Sequence, residues 1–293
     1  MPYENTTNDW NYLCMAGKYA RHLGLIDPTA FVDRRNPEPH IFRPNDENID
    51  ENSGFCGWDF SFPAWQLPTI DVNLTGGLDW ELPNIFPVGY EYSENLQPYH
   101  LEIWIEKSTM DDVLIPLCKR LSVNLVTSVG FMSITSVIEL LERVCSSAKP
   151  CRIFYISDFD PAGNGMLTAV ARQIEYYLES YAPGADIKLN PIVLTAEQVQ
   201  KYRLPRIPIK ESDRRKDNFE QVYGTGAVEL DAMEALYPGK LAHIVIENIM
   251  QFRDKELFGK VSKAKQEAWD KLKISQKRTI KPYQKNLNEL KQK

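Results

Sequence analysis

Short apolar runs alternate with segments of helical periodicity through the middle of the chain. The runs are LEIWI (101–105), NLVTSV (124–129) and RIFYI (152–156). Runs of this length, rich in β-branched and aromatic residues, predict buried strands. The segments behind them, such as Ile134–Val144, space their apolar residues as amphipathic helices do. A strand–helix order repeated in this way predicts an α/β fold with a mostly parallel sheet and right-handed crossovers.

Three parts are expected along the chain. Residues 1–98 hold a first helix and then an irregular, aromatic- and proline-rich subdomain, and residues 99–248 hold the α/β domain. In this domain 187–194 predicts a fourth strand, and AVELDAM (227–233) predicts a further strand or strand end. Residues 249–293 predict a long, partly amphipathic and basic helix.

Acidic residues follow two of the predicted strands. Asp158 and Asp160 stand two residues apart behind the third strand, and Glu106 directly follows the first. Open α/β sheets bind ligands at the carboxyl ends of their strands, so these carboxylates are candidate Mg²⁺ (or Mn²⁺) ligands. Two structural interpretations stay open: Asp160 before Pro161 has the pattern of a helix N-cap, and Glu106 has that of a surface glutamate.

These residues, taken in order, resemble a known family. Glu106 after the first strand, Gly130 after the second and DFDPAG (158–163) after the third are similar to the Toprim domain. The DxDPxG form resembles that of the A subunit of type IIB topoisomerases, the related meiotic double-strand-break protein, the nuclease subunit of Wadjet plasmid-defence systems and uncharacterised prophage proteins. The resemblance extends over roughly 20–248 and is strongest over 102–165.

The resemblance implies a Toprim-like, Rossmann-like sheet and a magnesium-dependent nuclease or topoisomerase-like enzyme acting on DNA in a prophage or phage-defence setting. Glu106, Asp158 and Asp160 would bind the metal, Glu106 would serve as ligand or general base, and Lys107 would stabilise charge. The topoisomerase-like relatives attack DNA with a tyrosine. Here Tyr12 and Tyr19 lie seven residues apart on the first helix, a spacing we interpret as core or half-exposed packing. We therefore expect water to be the nucleophile.

Charge is distributed unevenly along the chain. The formal net charge is −6, but residues 251–293 carry 13 Lys and Arg against 5 Asp and Glu. Such a segment binds phosphates, forms a dimer or remains solvated. The candidate nucleic-acid contacts are basic residues in two proline-containing loops: Arg34, Arg35, Lys210, Arg214 and Arg215. Each loop has a second interpretation, salt bridges in the first and a solvated surface in the second.

Other features limit the functional classes. No apolar run approaches the roughly 18 residues of a membrane span, and the N-terminus lacks a signal-peptide pattern, so a cytoplasmic protein without membrane contact is expected. The five scattered cysteines predict free, buried thiols and no zinc site.

Several alternatives to a DNA nuclease remain open. They are a partner-dependent DNA-binding subunit without catalysis, a Toprim nuclease acting on structured RNA, and a two-metal phosphatase of small molecules. A homodimer or a partner subunit is compatible with each.

Overall fold

The computed structural model describes residues 3–31, 34, 36–42 and 92–291. Most of the predicted aromatic-rich subdomain, and Arg35 with it, lies outside these residues. The chain divides into two compact units, one formed by Met1–Arg43 with Gln97–Asp254 and the other by Pro44–Leu96 with Lys255–Lys293. This division does not test the three-part organisation expected from the sequence, which stays a prediction.

The first unit contains a four-stranded sheet in which every pairing is parallel. The strands are β1 (His100–Ile105), β2 (Asn124–Thr127), β3 (Cys151–Ile156) and β4 (Ile187–Val193). Their order in the sheet is β2-β1-β3-β4, and β1 pairs with β2 on one side and with β3 on the other. The α/β class and the parallel sheet predicted from the sequence are therefore confirmed.

Helices separate and follow the strands. Their bounds are α1 Thr7–His22, α2 Asp111–Leu121, α3 Ile134–Ser147, α4 Pro161–Tyr181, α5 Ala196–Lys201, α6 Lys216–Tyr223, α7 Leu230–Leu236, α8 Lys240–Met250 and α9 Leu257–Lys291. Thr195 caps α5 through a capping box. Gly130, in the loop after β2, has a left-handed backbone conformation (φ +84°), which glycine adopts more readily than other residues.

Successive side chains of each strand point to opposite faces of the sheet and belong to two hydrophobic clusters, one on each face. Ile103 and Ile105 of β1 pack with residues of α2 and α8 on one face. Trp104 of the same strand packs with residues of α3 and α4 on the other face. Because β1 is buried on both faces, its sequence is a nearly continuous apolar run.

One charged residue interrupts that run. Glu102 is fully buried, and its Oε1 lies 2.8 Å from both Arg143 Nε and His100 Nε2. Its Oε2 accepts hydrogen bonds from Arg143 Nη2 at 3.0 Å and Trp104 Nε1 at 2.9 Å. Burial alone would raise the pKa of Glu102, but Arg143 and His100 outweigh it and hold the pKa well below the usual range. The carboxylate therefore ties α3 to the central strand as an ion.

Two sequence predictions are wrong in detail. Residues 227–233 do not form a strand: Ala227 and Val228 make only isolated bridges, and α7 begins at Leu230. The reason is that acidic and small residues follow Val228, and these favour a helix start over a continued strand. The C-terminal helix does not begin at Ile249 either, because α8 ends at Met250 and α9 begins at Leu257.

Two further expectations concern exposure. Helix α1 has no buried residue, and Tyr12 and Tyr19 are 68% and 56% exposed. Of the two arrangements expected for them, core or half-exposed packing, the core arrangement is therefore wrong, because the described residues place no cover over that part of α1. Cys118 and Cys151 are buried thiols as expected, but Cys14 and Cys145 are exposed.

Over the ranges that the structure describes, no helix combines the length and the apolarity that crossing a membrane requires.

The Glu102–Arg143 pair generates a stability prediction. Arg143→Met should lower the free energy of unfolding by about 3–5 kcal/mol, since it leaves a buried carboxylate without its main counter-charge. Exposed Arg172 on α4 provides the control, and Arg172→Met should change stability by no more than about 0.5 kcal/mol. Urea unfolding measures both values. Equal values for the two variants would show that the ion pair contributes nothing net.

Candidate active site

The acidic residues singled out from the sequence follow two neighbouring strands of the sheet. Strand β1 ends at Ile105, which pairs with Ile156 at the end of β3, and the backbone N–H of Glu106 donates to the carbonyl of Ile156 at 3.3 Å. From β1 the chain goes first to β2 on one side and later to β3 on the other side. The order of the strands therefore reverses at the boundary between β1 and β3. In open α/β sheets this switch point is where ligands bind.

Asp160 forms the N-cap of α4. Its Oδ1 accepts a hydrogen bond from Gly163 N at 2.6 Å, and Pro161 occupies the first helical position. The structural interpretation that the sequence left open is therefore correct. Burial, together with the nearby Asp158, nevertheless raises the pKa of Asp160 above its usual value despite the cap. The residue both starts the helix and adds negative charge to the site.

The helix start is packed too closely for a side chain at Gly163. A Cβ on this residue would lie 2.5 Å from the backbone oxygen of Asp158 and 3.0 Å from Ser157 Oγ. Real Cβ atoms do not approach backbone oxygen so closely. The glycine of the DFDPAG sequence is therefore needed for the close packing of the strand end on the helix.

Asp158 is held from two directions. Its Oδ1 accepts a hydrogen bond from the backbone N–H of Leu230 at 2.7 Å, and its Oδ2 lies 2.9 Å from Lys107 Nζ. The residue after it, Phe159, exchanges two backbone hydrogen bonds with Val228 at 2.9 and 3.0 Å. Residues 228–230 thus fix the aspartate at the strand end.

Lys107 lies among three carboxylates. Besides Asp158, its Nζ is 3.0 Å from Asp231 Oδ2 and 4.0 Å from Glu229 Oε2. Burial lowers the pKa of Lys107, but the hydrogen bonds to Asp158 and Asp231 outweigh it and leave the pKa raised. The segment behind Val228 thus brings both Glu229 and Asp231 to this ammonium group.

Glu106 has an oxygen without a partner. Among the described residues, nothing donates a hydrogen bond to its buried Oε2. Burial, together with Asp160 and Asp158, raises the pKa of Glu106 to about 7, and Lys107 only partly opposes this. The site therefore has more negative charge than its single lysine balances, as a binding site for a cation would.

Tyr155 adds a second buried polar atom on the same face of the sheet. It pairs with Trp104, two residues before Glu106, and it is 1% exposed. Its hydroxyl finds no hydrogen-bond partner in the described part of the chain, and burial followed by the charge of Glu106 raises its pKa. Sequence patterns did not identify this residue, because a tyrosine inside an apolar run is usually core.

The donor set fits one kind of metal site. Within 3–31, 34, 36–42 and 92–291 there is no group of three or more His, Cys, Asp or Glu side chains already arranged around a metal position. Mg²⁺ does not require one, since it keeps several waters and binds through one or two carboxylates together with substrate phosphates. Glu106 with its free oxygen, and the aspartates that raise its pKa, fit such a site, and a thiolate- or imidazole-binding metal would find no ligands here.

The basic candidates differ in their surroundings. Arg34, Lys210 and Arg214 are exposed, and Arg215 forms an ion pair with Asp213 at 2.9 Å. Arg215 also affects the pKa of Asp160, which places it near the acidic site.

Arg206, from the same loop, has a structural role. It donates hydrogen bonds to the carbonyls of Tyr223, Gly224, Thr225 and Gly226 at the end of α6. Its guanidinium is therefore committed to the backbone.

Glu106 generates a pH prediction. The folded pKa of about 7 lies above the ordinary value of 4.5, so between these two values only the unfolded chain loses its proton, and stability falls as pH rises. Glu106→Gln removes this loss. The difference in melting temperature between variant and wild type should be near zero at pH 4.5 and should reach a plateau above pH 7. Because solvent screens this partly exposed group, the difference in free energy of unfolding that corresponds to the plateau should be about 1–2 kcal/mol.

Thermal unfolding across pH 4.5–8 in metal-free buffer measures this difference. Glu175→Gln, at an exposed position on α4, should show no pH-dependent difference. A gain for Glu106→Gln that is the same at every pH would show that Glu106 is ionised throughout.

Comparison of the sequence with protein-family models and with curated proteins gives no match. The resemblance to Toprim domains therefore depends on the strand-end residues themselves, and their geometry is what bears on function.

Proposed function

We propose that the chain is a magnesium-dependent phosphodiesterase of the Toprim type that hydrolyses DNA. The observation that carries this proposal is the position of Glu106. It has a buried, unpartnered carboxylate oxygen and a raised pKa, and it lies beside Asp158 and Asp160 at the switch point of a parallel sheet. A site of this charge attracts a divalent cation and, through it, a phosphate.

Each residue has a role in this proposal. Glu106 and Asp160 would bind Mg²⁺ or Mn²⁺, with Asp158 joining them when Lys107 releases its Oδ2. When bound, the metal supplies Lewis acidity toward the phosphate and makes a water ligand more acidic. Where Glu106 does not bind the metal, its Oε2 would instead take the proton of the attacking water, since its pKa of about 7 in the metal-free site suits a general base at neutral pH.

Lys107 supplies the positive charge. The Lys107 side chain is 26% exposed, so its ammonium group can donate to a substrate oxygen without large rearrangement. As water attacks, a new P–O bond forms, the bond to the leaving oxygen breaks, and negative charge accumulates on the phosphate. An ammonium at this position would stabilise that charge.

Water is the nucleophile in this proposal. Tyr12 and Tyr19 are exposed on α1, so neither is held as a preorganised nucleophile beside a general base, as covalent catalysis requires. Hydrolysis by water leaves free DNA ends and no attached protein. A topoisomerase-like transesterase would leave one tyrosine bound to DNA.

A panel of substrates tests the proposal. Supercoiled plasmid, an equal mass of tRNA and a chromogenic phosphate ester are each incubated with the full chain and Mg²⁺ or Mn²⁺. We expect metal-dependent nicking of the plasmid, with no protein retained on DNA in denaturing gels. Cleavage of tRNA alone would favour the RNA alternative, turnover of the ester alone would favour the phosphatase, and a retained adduct would favour the transesterase.

The aspartates provide the matching variants. Asp158→Asn and Asp160→Asn should each lower metal-dependent nicking by at least about 100-fold, because each removes a charge at the metal or phosphate. Asp217→Asn, at an exposed position on α6, should nick at the wild-type rate. Circular dichroism establishes that each variant is folded. Nicking at the wild-type rate by both site variants would show that the acids of this sheet edge do not catalyse.

Lys107 yields a prediction in which binding and activity change in opposite directions. Lys107→Met removes the ammonium 2.9 Å from Asp158, so Mn²⁺ affinity should rise about tenfold while nicking falls about 100-fold. Lys119→Met, at an exposed position on α2, should change neither. Calorimetric titration with Mn²⁺ and the plasmid assay measure the two quantities. Weaker Mn²⁺ binding by Lys107→Met would show that the lysine helps to build the metal site and does not compete for it.

A further inference from the structure

An exposed aromatic residue lies at the same sheet edge as the acids. The loop that follows β2 keeps Ser128 and Met132 buried but leaves Val129 and Phe131 43% and 53% exposed. Ser128 Oγ donates hydrogen bonds to the carbonyls of Ile105 and Gly130 at 3.4 and 3.0 Å. The loop is therefore anchored on β1, and Phe131 is presented to solvent from a fixed backbone.

Phe131 and Arg215 approach one point on α4. A Cβ placed on Gly165 would lie 3.0 Å from Arg215 Nη1 and 4.0 Å from the ring atom Cζ of Phe131. Gly165 is in the second turn of the helix that Asp160 caps, and Arg215 influences the pKa of Asp160. An exposed ring and a guanidinium thus flank the acidic site on one side.

A second arginine comes to this loop from the N-terminal segment. Asn36 Oδ1 accepts a hydrogen bond from Val129 N at 2.7 Å, and the carbonyl of Phe31 accepts one from Thr135 Oγ1 at 3.0 Å. Arg34 lies between these two attachments and is exposed. The segment is therefore attached to Val129 of the loop that carries Phe131 and to the first turn of α3 behind that loop.

We infer that Phe131 is a stacking platform for an unpaired base, with Arg215 and Arg34 contacting the neighbouring phosphates. This inference rests on the proposed function and specifies its substrate as single-stranded or locally opened nucleic acid. An aromatic ring beside cationic side chains has the chemistry that binds unpaired bases, since every base has a π-face to stack on. The bases of an intact duplex are already stacked on each other and offer no such face.

The ion pair of Arg215 does not prevent this contact. Asp213 and Arg215 are held at 2.9 Å, but the arginine side chain is 45% exposed. Nε and Nη2 of Arg215 donate to the two carboxylate oxygens of Asp213, at 2.9 Å each. Nη1 takes no part in this pairing and lies toward Gly165, so Arg215 can contact a phosphate through Nη1 without leaving Asp213.

The test measures binding without catalysis. A labelled single-stranded 20-nucleotide DNA and the duplex of the same sequence are titrated with the full chain in EDTA, and the ratio of the two dissociation constants is determined by anisotropy. The wild type should prefer the single strand. Phe131→Ala should weaken single-strand binding about tenfold and leave duplex binding within about twofold, whereas Phe131→Trp should retain the preference.

Two further variants make the test specific. Phe258→Ala, at another exposed phenylalanine in the second unit, should not alter the ratio. Arg215→Gln should lower the salt dependence of single-strand binding by about 0.7 in log–log slope, the value for one phosphate contact. All variants should melt within about 2 °C of the wild type, because the changes are at exposed positions.

The outcomes separate this inference from the proposed function. If Phe131→Ala leaves the ratio unchanged, or if the wild type prefers the duplex, the stacking inference is wrong even when the enzyme nicks plasmid. If the Asp158 and Asp160 variants keep full activity while Phe131→Ala still loses single-strand binding, the catalytic proposal fails and the binding surface stands. Absence of binding to either DNA overturns the inference directly.

Discussion

The pairing of β1 with β3 is the constraint on which the candidate site depends. These strands are distant in sequence, yet their parallel register places Ile105 opposite Ile156, so the residues that follow them come to one edge of the sheet. Hydrophobic residues on both faces hold this register, since a shift by one residue would turn every side chain to the opposite face. The negative charge at the edge is thus imposed by an apolar interior, and the repulsion among the acids is tolerated because the core resists it.

Glu102 in β1 and Glu106 just after it are both at least partly shielded from solvent, but their carboxylates have opposite environments. Glu102 is surrounded by donors, with Arg143 contributing two hydrogen bonds, and it remains ionised. Glu106 lies four residues later with one oxygen unpartnered, and its pKa is raised. The carboxylate of Glu102 has its hydrogen-bonding capacity filled by protein donors and so has a structural role. Glu106 has an oxygen still able to accept a hydrogen bond or bind a cation, which is why the proposed chemistry is assigned to it.

Local patterns were sufficient to predict the strands, most helices and the positions of the three acids. Short, nearly continuous apolar runs and the capping residues Asp160 and Thr195 carry that information within a few neighbouring positions. The partners of Lys107 could not be derived in the same way, because Asp231 lies 124 residues away and is brought near by the Phe159–Val228 bridge. The exposure of α1 could not be predicted from the sequence either. The spacing of Tyr12 and Tyr19 is compatible with core or half-exposed packing, but tertiary packing decides what covers a helix.

The closeness of Gly163 to the backbone of Asp158 affects how the DFDPAG motif should be interpreted. Proline at the first helical position, aspartate at the cap and glycine three residues after the cap are all explained by the geometry of a strand that turns tightly into a helix. Much of the motif therefore reports a backbone shape that any protein with this turn would retain, including one that had lost its catalytic function. Glu106 and Lys107 are not needed by the turn, so under the proposed function they distinguish an enzyme from a mere retention of this turn, and a search for proteins with the proposed activity should select on that pair first.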